Sequence, residues 1–204
     1  IEYAHLKKLK RKTDHISIKN KYIIEDILKD KKPVIFISGH FANYELMSME
    51  LRRANIKLAT IYRPLNNYFL NPFMEYLRKR FVCRNQIKKG IKGVREAIEY
   101  LKKGFSIALM IDQRVSEGEK INFFGKPALT TTLPAQLALK YNLSICPVHI
   151  ERTSENNFII RFLNEINASD FKGKIDVTEK LNQVLEQMIS MKPDQWIWTH
   201  NRWK

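Results

Sequence analysis

Short apolar runs alternate with amphipathic segments along most of this chain. The apolar runs have the length of buried strands, and between them apolar residues recur at helical spacing. This alternation predicts an α/β fold with a mostly parallel central sheet flanked by helices. The predicted strands are residues 34–38, 56–62, 105–111, 144–150 and 158–163; the predicted helices are residues 22–28, 44–54, 73–81, 94–103, 133–141 and 177–191.

The chain is organised without a visible linker, since it has only 7 glycines and no repeat or Gly/Ser/Pro-rich stretch. We therefore expect one continuous domain over residues 1–204. The longest strongly apolar run, residues 105–111, is far shorter than the ~18 residues that a membrane-spanning helix needs. The chain starts at Ile1 without Met, and residues 1–12 are basic and amphipathic. We interpret this start as an N-terminal truncation and expect an upstream membrane anchor.

The charge balance points to an anionic partner. Lys and Arg number 36 against 21 Asp and Glu, which gives a net charge of +15, and 44% of the residues are hydrophobic. The apolar content excludes a disordered basic tail, and the charge excludes an acidic solvating protein. Nucleic acid, a phosphorylated substrate, an acidic carrier protein and a membrane surface all remain as partners. Two cysteines exclude a disulfide scaffold and a Cys-rich zinc site.

The first predicted strand runs into Gly39, His40 and then a helix start with Glu45 in its first turn. Active sites of parallel sheets lie at the carboxyl ends of strands, so these residues are candidates for catalysis. If the loop folds back, Glu45 reaches His40; a carboxylate on one imidazole nitrogen leaves the other as a base. The alternative is that Glu45 only stabilises the helix N-terminus and His40 is a hydrogen-bonded loop residue.

Two further strand ends carry charged residues. Arg63 leaves the second strand just before Pro64, with Asn67 close behind, and its guanidinium could bind a phosphate or a carboxylate. Asp112 ends the third strand and could orient Arg63 or a substrate hydroxyl. The alternative interpretations are a surface arginine before a turn and an aspartate that starts a turn.

The remaining candidates lie late in the chain or in a basic run. Phe123, Phe124 and Leu129 could line an apolar pocket or belong to the core. Residues 78–103 hold ten Lys or Arg against two Glu, and the chain ends with Trp and basic residues interleaved. Such a pattern suits a membrane interface or base stacking, although a basic run is also typical of a solvated face.

Taken in order, these pieces resemble one family. The chain is similar to the bacterial lipid A late acyltransferases, the lauroyl and myristoyl transferases of the lysophospholipid acyltransferase superfamily. Matching positions cover roughly residues 30–204: Gly39-His40 with Glu45, Tyr62-Arg63-Pro64 with Asn67, Asp112, Phe123-Phe124-Gly125 with Pro127-Ala128, the Thr-rich entry to Ala135–Leu139, Pro147-Val148, and Trp198, His200, Arg202, Trp203 and Lys204. The ordered set is far more specific than the His-x4-Glu spacing alone, and it favours the catalytic interpretation of His40 and Glu45.

The resemblance implies a glycerolipid-acyltransferase-like fold and an O-acyltransferase at the cytoplasmic face of the bacterial inner membrane. Such an enzyme moves a fatty acyl chain from an acyl-carrier-protein thioester to a hydroxyl of a phosphorylated glycolipid, a lipid A precursor. A thioester is already activated, so a positioned base suffices without an enzyme nucleophile. Acyl carrier protein, the glycolipid and a membrane surface are the implied partners, with no nucleic acid, metal or organic cofactor.

The same resemblance assigns roles to individual residues. His40 is the implied general base and Glu45 its partner. The implied substrate-binding residues are Arg63, Asn67, Asp112, Phe124, Arg202 and Lys204.

Two departures leave the acceptor open. The family's acidic positions after Arg-Pro and after the strand-end aspartate are Leu65 and Arg114 here. Another membrane glycolipid, such as a mannosylated phosphoinositide, is therefore an alternative acceptor. From a different class, a basic nucleic-acid-binding protein would use the same Lys, Arg and Trp residues but leaves His40 and Asp112 unexplained. A catalytically inactive scaffold also stays open.

Overall fold

The computed structural model describes residues 6–11, 14–154 and 156–204. Its helices are α1 (Leu6–Arg11), α2 (Lys21–Asp30), α3 (Glu45–Arg53), α4 (Leu70–Leu77), α5 (Ile91–Lys102), α6 (Leu133–Tyr141) and α7 (Lys174–Met191). Its strands are β1 (Ile16–Lys19), β2 (Ile35–Ser38), β3 (Leu58–Tyr62), β4 (Asn85–Lys88), β5 (Ser106–Met110), β6 (Glu119–Phe123), β7 (Lys126–Thr130), β8 (Ser144–Ser154), β9 (Asn157–Phe162) and β10 (Ile166–Asn167).

The central sheet has the strand order β1-β9-β8-β2-β5-β3-β4, with β10 attached to β8. The strands from β8 to β4 run parallel to one another, whereas β9 lies antiparallel to β8 and parallel to β1. All four residues of β2 are buried because helices cover both faces of the sheet there. The predicted α/β fold with a mostly parallel sheet is confirmed.

Several elements were not predicted, and most of them lack a long apolar run. The edge strand β4 reads Asn-Gln-Ile-Lys and buries only Ile87. The hairpin of β6 and β7 lies apart from the central sheet, and its turn at Phe124 and Gly125 has positive φ angles of 51° and 72°. Two successive positive φ values are typical of the tight turns that join antiparallel strands.

Helix α4 begins earlier than predicted and ends in an unusual turn. The predicted start at residue 73 is wrong, because the Asn67 side-chain oxygen accepts hydrogen bonds from the backbone N–H groups of Phe69 and Leu70, both at 3.0 Å. The helix runs directly into a π-helical turn, Arg78–Val82. Turns of this kind are rare and occur often at functional sites.

Helices α3, α5 and α6 pack on the parallel part of the central sheet. Helix α3 packs against β3, α5 against β3, β4 and β5, and α6 against β2 and β8. Within the part of the chain that the structure describes, no helix combines the length and apolarity needed to cross a membrane.

Candidate active site

Three neighbouring strands of the sheet end at one cleft of about 480 Å³. His40 follows β2, Arg63 follows β3 and Asp112 follows β5, so the strand-end rule brings the three predicted residues to the same edge. His40 and Arg63 line the cleft directly, and Asp112 lies behind His40. Other side chains in its wall are Tyr44, Glu45, Thr60, Tyr62, Arg78, Lys89, Gln113 and His200.

The carboxylate that holds His40 is Asp112, which corrects the predicted pairing with Glu45. Asp112 Oδ1 lies 2.8 Å from His40 Nδ1, and its Oδ2 accepts the His40 backbone N–H at 2.9 Å. The register of the sheet explains this contact. Ser38 of β2 pairs with Met110 of β5, so the residues two positions further on, His40 and Asp112, lie side by side.

Asp112 is held as a carboxylate. Burial alone would raise the pKa of Asp112. The hydrogen bond from the His40 ring, the charge of that ring, the His40 backbone N–H and the Trp196 indole N–H together lower this pKa below the ordinary value. An ionised carboxylate only accepts hydrogen bonds, so His40 Nδ1 carries a proton, and in the neutral imidazole Nε2 is then the acceptor. The Asp112 side chain is only 3% exposed and contacts His40, so the structure gives it a positioning role, whereas its contact with substrate stays a prediction.

The C-terminal segment holds this pair in place, a contact that the sequence did not reveal. The indole N–H of Trp196 donates to Asp112 Oδ2 at 2.9 Å. The backbone N–H of Ile197 donates to the His40 carbonyl, and that of Ala42 donates to the Gln195 carbonyl. Trp196 is buried, whereas the interleaved Trp pattern indicated a membrane or stacking role. The C-terminal segment therefore holds His40 in two ways: through Asp112, which contacts the His40 ring, and through backbone hydrogen bonds to His40 and Ala42.

Glu45 has a different partner on the cleft wall. Its Oε1 accepts a hydrogen bond from Arg78 Nε at 2.8 Å, and both side chains are largely buried. The Arg78 guanidinium lies 5.6 Å from the centre of the Tyr62 ring. In the sequence Arg78 was only the first member of a basic run, but its position in the π-helical turn directs it to α3. This ion pair joins the two walls formed by α3 and the π-helical turn.

Two cations lie on the β3–β4 side of the cleft. Arg63 is exposed in the cleft, and burial together with the charge of Arg63 lowers the pKa of Lys89. Burial also lowers the pKa of His200, another cleft residue. Adjacent cations in a cleft attract an anionic ligand, so this side suits a phosphate or a carboxylate. The sequence identified Arg63 individually, whereas Lys89 was one of many basic residues.

Three predicted substrate-binding residues lie elsewhere. Asn67 is the cap of α4, and Phe124 occupies the hairpin turn, where its backbone N–H donates to Glu186. Lys204 is exposed at the end of the chain. None of them is among the described residues that line the cleft. Phe123, considered for an apolar pocket, is fully buried and belongs to the core.

Arg202, also predicted to bind substrate, is a structural residue. It is 0% exposed; its guanidinium donates to the Leu129 carbonyl at 2.7 Å and to the Thr130 hydroxyl at 2.6 Å. It lies 5.0 Å from the centre of the Phe123 ring, and burial lowers its pKa to about 10. The contacts that the structure shows for Arg202 are therefore structural, and its substrate role stays a prediction.

Removal of the Arg202 side chain should destabilise the fold. We expect Arg202→Ala to lower the free energy of unfolding by about 3 kcal/mol, because it leaves a cavity and removes two charge-assisted hydrogen bonds in the interior. Denaturant unfolding followed by circular dichroism measures this change. Lys204→Ala, the exposed neighbour, should change stability by less than about 0.5 kcal/mol. Unchanged stability in Arg202→Ala, with weaker substrate binding, would contradict the structural role and support the predicted substrate role.

The family model of the bacterial lipid A biosynthesis acyltransferases matches residues 2–204. The chain belongs to this family. A curated relative, the lipid A biosynthesis lauroyltransferase of Escherichia coli (strain K12), is 24% identical over 185 residues. That match covers 89% of this chain and 59% of the relative, so the chain spans about three fifths of the relative's length.

A solved structure with a similar fold is the 1-acyl-sn-glycerophosphate (LPA) acyltransferase PlsC from Thermotoga maritima. The TM-score is 0.58 at 14% identity, and the match covers 95% of this chain and 80% of that one. At this identity the likeness is one of fold, and it agrees with the expected glycerolipid-acyltransferase-like architecture. In residues 6–11, 14–154 and 156–204, no group of three or more His, Cys, Asp or Glu side chains could hold a metal ion.

Proposed function

We propose that this member of the lipid A acyltransferase family transfers a fatty acyl chain from an acyl-carrier-protein thioester to a hydroxyl of a lipid A precursor. The observation that carries the proposal is the His40–Asp112 pair at the cleft, in which a carboxylate fixes Nδ1–H and leaves Nε2 as a base. Its place of action would be the cytoplasmic face of the bacterial inner membrane.

The reaction needs only a base and an activated donor. His40 Nε2 takes the proton of the acceptor hydroxyl as its oxygen attacks the thioester carbonyl. The tetrahedral intermediate then collapses, the carbon–sulfur bond breaks, and the imidazolium returns the proton to the leaving thiolate. Asp112 stabilises the positive charge that His40 carries between the two transfers. The enzyme needs no nucleophile of its own, because the thioester is already activated.

Charge supports the choice of substrates. Arg63 and Lys89 offer two cations to the phosphate groups of a lipid A precursor. The net charge of +15 attracts both a phosphorylated glycolipid and an acidic carrier protein. The curated relative is named as a lauroyltransferase, which supports a medium-length acyl chain as the first donor to try.

The proposal is tested by incubating purified protein with lauroyl-acyl-carrier protein and a lipid A precursor, and measuring acylated product by mass spectrometry. We expect product with this pair, and less with lauroyl-CoA. Parallel reactions offer lysophosphatidic acid or a mannosylated phosphoinositide as acceptor. Acylation of either in preference to the lipid A precursor would contradict the proposed acceptor. Salt-sensitive DNA binding without any lipid product would favour the nucleic-acid alternative.

Arg63 provides a test of phosphate recognition. We expect Arg63→Gln to raise KM about tenfold or more for a phosphorylated acceptor, because a charge-assisted hydrogen bond is lost. The KM for the same acceptor with its phosphates removed should change little. Steady-state kinetics with both acceptors measures the difference. An equal rise in both KM values would assign Arg63 a role unrelated to phosphate.

A further inference from the structure

Helix α4 and the two residues before it present an apolar ridge to solvent. We define the ridge as Tyr68, Phe69, Leu70, Phe73 and Tyr76. Tyr68 and Phe69 are 90% and 95% exposed, and Phe73 and Tyr76 are each 56% exposed. No residue of α4 is buried. Large side chains exposed together in this way are costly in water and mark an interaction surface.

The ridge is surrounded by positive charge. From Arg63 to Arg95 the sequence contains nine Lys or Arg and one acidic residue, Glu75. That carboxylate is occupied, since it accepts from the Asn71 side chain at 2.8 Å and lies 3.2 Å from Lys88 Nζ. The contact with Lys88 also places the basic end of β4 beside α4. An apolar ridge with a basic border is complementary to an anionic surface with an apolar interior.

The ridge adjoins the rim of the cleft. Leu65 and Asn66 belong to the cleft wall, and only Asn67 separates them from the ridge in sequence. The Leu65 backbone N–H donates to the Asn71 side-chain oxygen at 2.8 Å, which ties this rim loop to the first turn of α4. A partner held by the ridge is therefore next to the cleft, on the side of Arg63.

We propose that the ridge docks this domain onto an anionic lipid bilayer. Aromatic side chains enter the boundary between headgroups and acyl chains, and neighbouring Lys and Arg bind anionic headgroups. An acidic protein would satisfy the charges, but the near-complete exposure of Tyr68 and Phe69 at the start of the ridge favours insertion. The purpose of docking rests on the proposed function, because docking would bring an acceptor in the bilayer to the cleft. Binding of the ridge to the bilayer can be measured without turnover.

Site-specific labelling tests which surface enters the bilayer. Both native cysteines, Cys83 and Cys146, are buried, so a cysteine introduced at the surface reacts selectively with a polarity-sensitive fluorophore. We expect labelled Phe69→Cys to shift its emission to the blue with phosphatidylcholine–phosphatidylglycerol vesicles. Labelled Tyr22→Cys, on α2 at the opposite end of the sheet, is the control and should not shift. A shift at position 22 but not at 69 would overturn the proposal.

Vesicle flotation measures the strength of docking. Phe73→Ser should reduce the bound fraction on anionic vesicles about tenfold or more, and Phe69→Ser should do so as well. Tyr22→Ser is the matched control, since Tyr22 is 55% exposed and Phe73 56%; it should bind like the wild type. Full binding by both ridge variants would overturn the proposal.

Two other occupants give different results in the same assays. A blue shift at position 69 with acyl carrier protein but not with vesicles would assign the ridge to a protein partner. A shift that follows the protein concentration without vesicles would assign it to a second copy of this chain. Either result overturns bilayer docking but leaves the proposed reaction intact. If the wild-type protein binds vesicles but does not acylate a detergent-dispersed acceptor, the result contradicts only the proposed reaction.

Discussion

Replacement of His40 by glutamine should lower kcat for acyl transfer by roughly 10³-fold. A positioned general base contributes about 10² to 10⁴ to a rate, and glutamine has no basic nitrogen at this position. The fold should persist, because the backbone N–H of residue 40 still donates to Asp112 and Trp196 still holds that carboxylate. KM for the acceptor should change little, since the cations that would bind its phosphates are retained.

His200 is the matched control for this variant. It lies in the same cleft but has no carboxylate on its ring in the described contacts, so His200→Gln should lower kcat less than tenfold. Steady-state kinetics, together with the melting temperature of each variant, separates loss of chemistry from loss of fold. A larger loss in His200→Gln than in His40→Gln would show that the base had been assigned to the wrong histidine, and full turnover in both would exclude the mechanism.

The strand-end residues were predictable because they follow from the fold class. Apolar runs locate strands without reference to the rest of the molecule, and the carboxyl ends of parallel strands share one edge. His40, Arg63 and Asp112 could therefore be placed at one site from three separate runs. What the pattern does not contain is the lateral order of the strands. Asp112 contacts His40 because β5 lies next to β2, although the two residues are 72 positions apart in sequence. Glu45 was predicted as the partner because it is close to His40 in sequence.

The C-terminal segment shows a second limit of prediction from the sequence. Trp196, Trp198, Arg202 and Trp203 form one interleaved pattern in the sequence, which is equally compatible with a membrane surface and with a buried tail. In the structure Trp196 and Arg202 are buried, whereas Trp198 is 55% exposed. Which side chain points inwards depends on the strands that the tail crosses, and that is not a local property. The exposed ridge of α4 was missed for the same reason, because apolar residues at helical spacing do not show whether another element covers them.

Replacement of Asp112 by asparagine should lower kcat by roughly 10² to 10⁴-fold with a small change in KM. An asparagine side chain can donate as well as accept, so it no longer enforces a proton on Nδ1 and no longer stabilises imidazolium. The substitution nearly conserves volume, and the residue does not line the cleft, so substrate binding should persist. Steady-state rates of formation of the acylated product measure kcat. Asp170→Asn, an exposed aspartate of the short helix after β10, is the control and should keep full activity.

The same variant has a pH signature that distinguishes loss of charge from a general loss of packing. Folding lowers the pKa of Asp112 below its ordinary value of 3.8, so the ionised form stabilises the fold at every pH above that value. We expect wild type to exceed Asp112→Asn by about 2 kcal/mol in unfolding free energy from about pH 5 to about pH 8. As the pH falls through the lowered pKa, the carboxylate takes up a proton and this difference should close. Denaturant unfolding of both proteins, from about pH 8 down to below pH 3.8, provides the measurement. A difference that stays constant into acid would mean that Asp112 contributes through shape rather than through its charge, and the electrostatic account of the His40 tautomer would then fail.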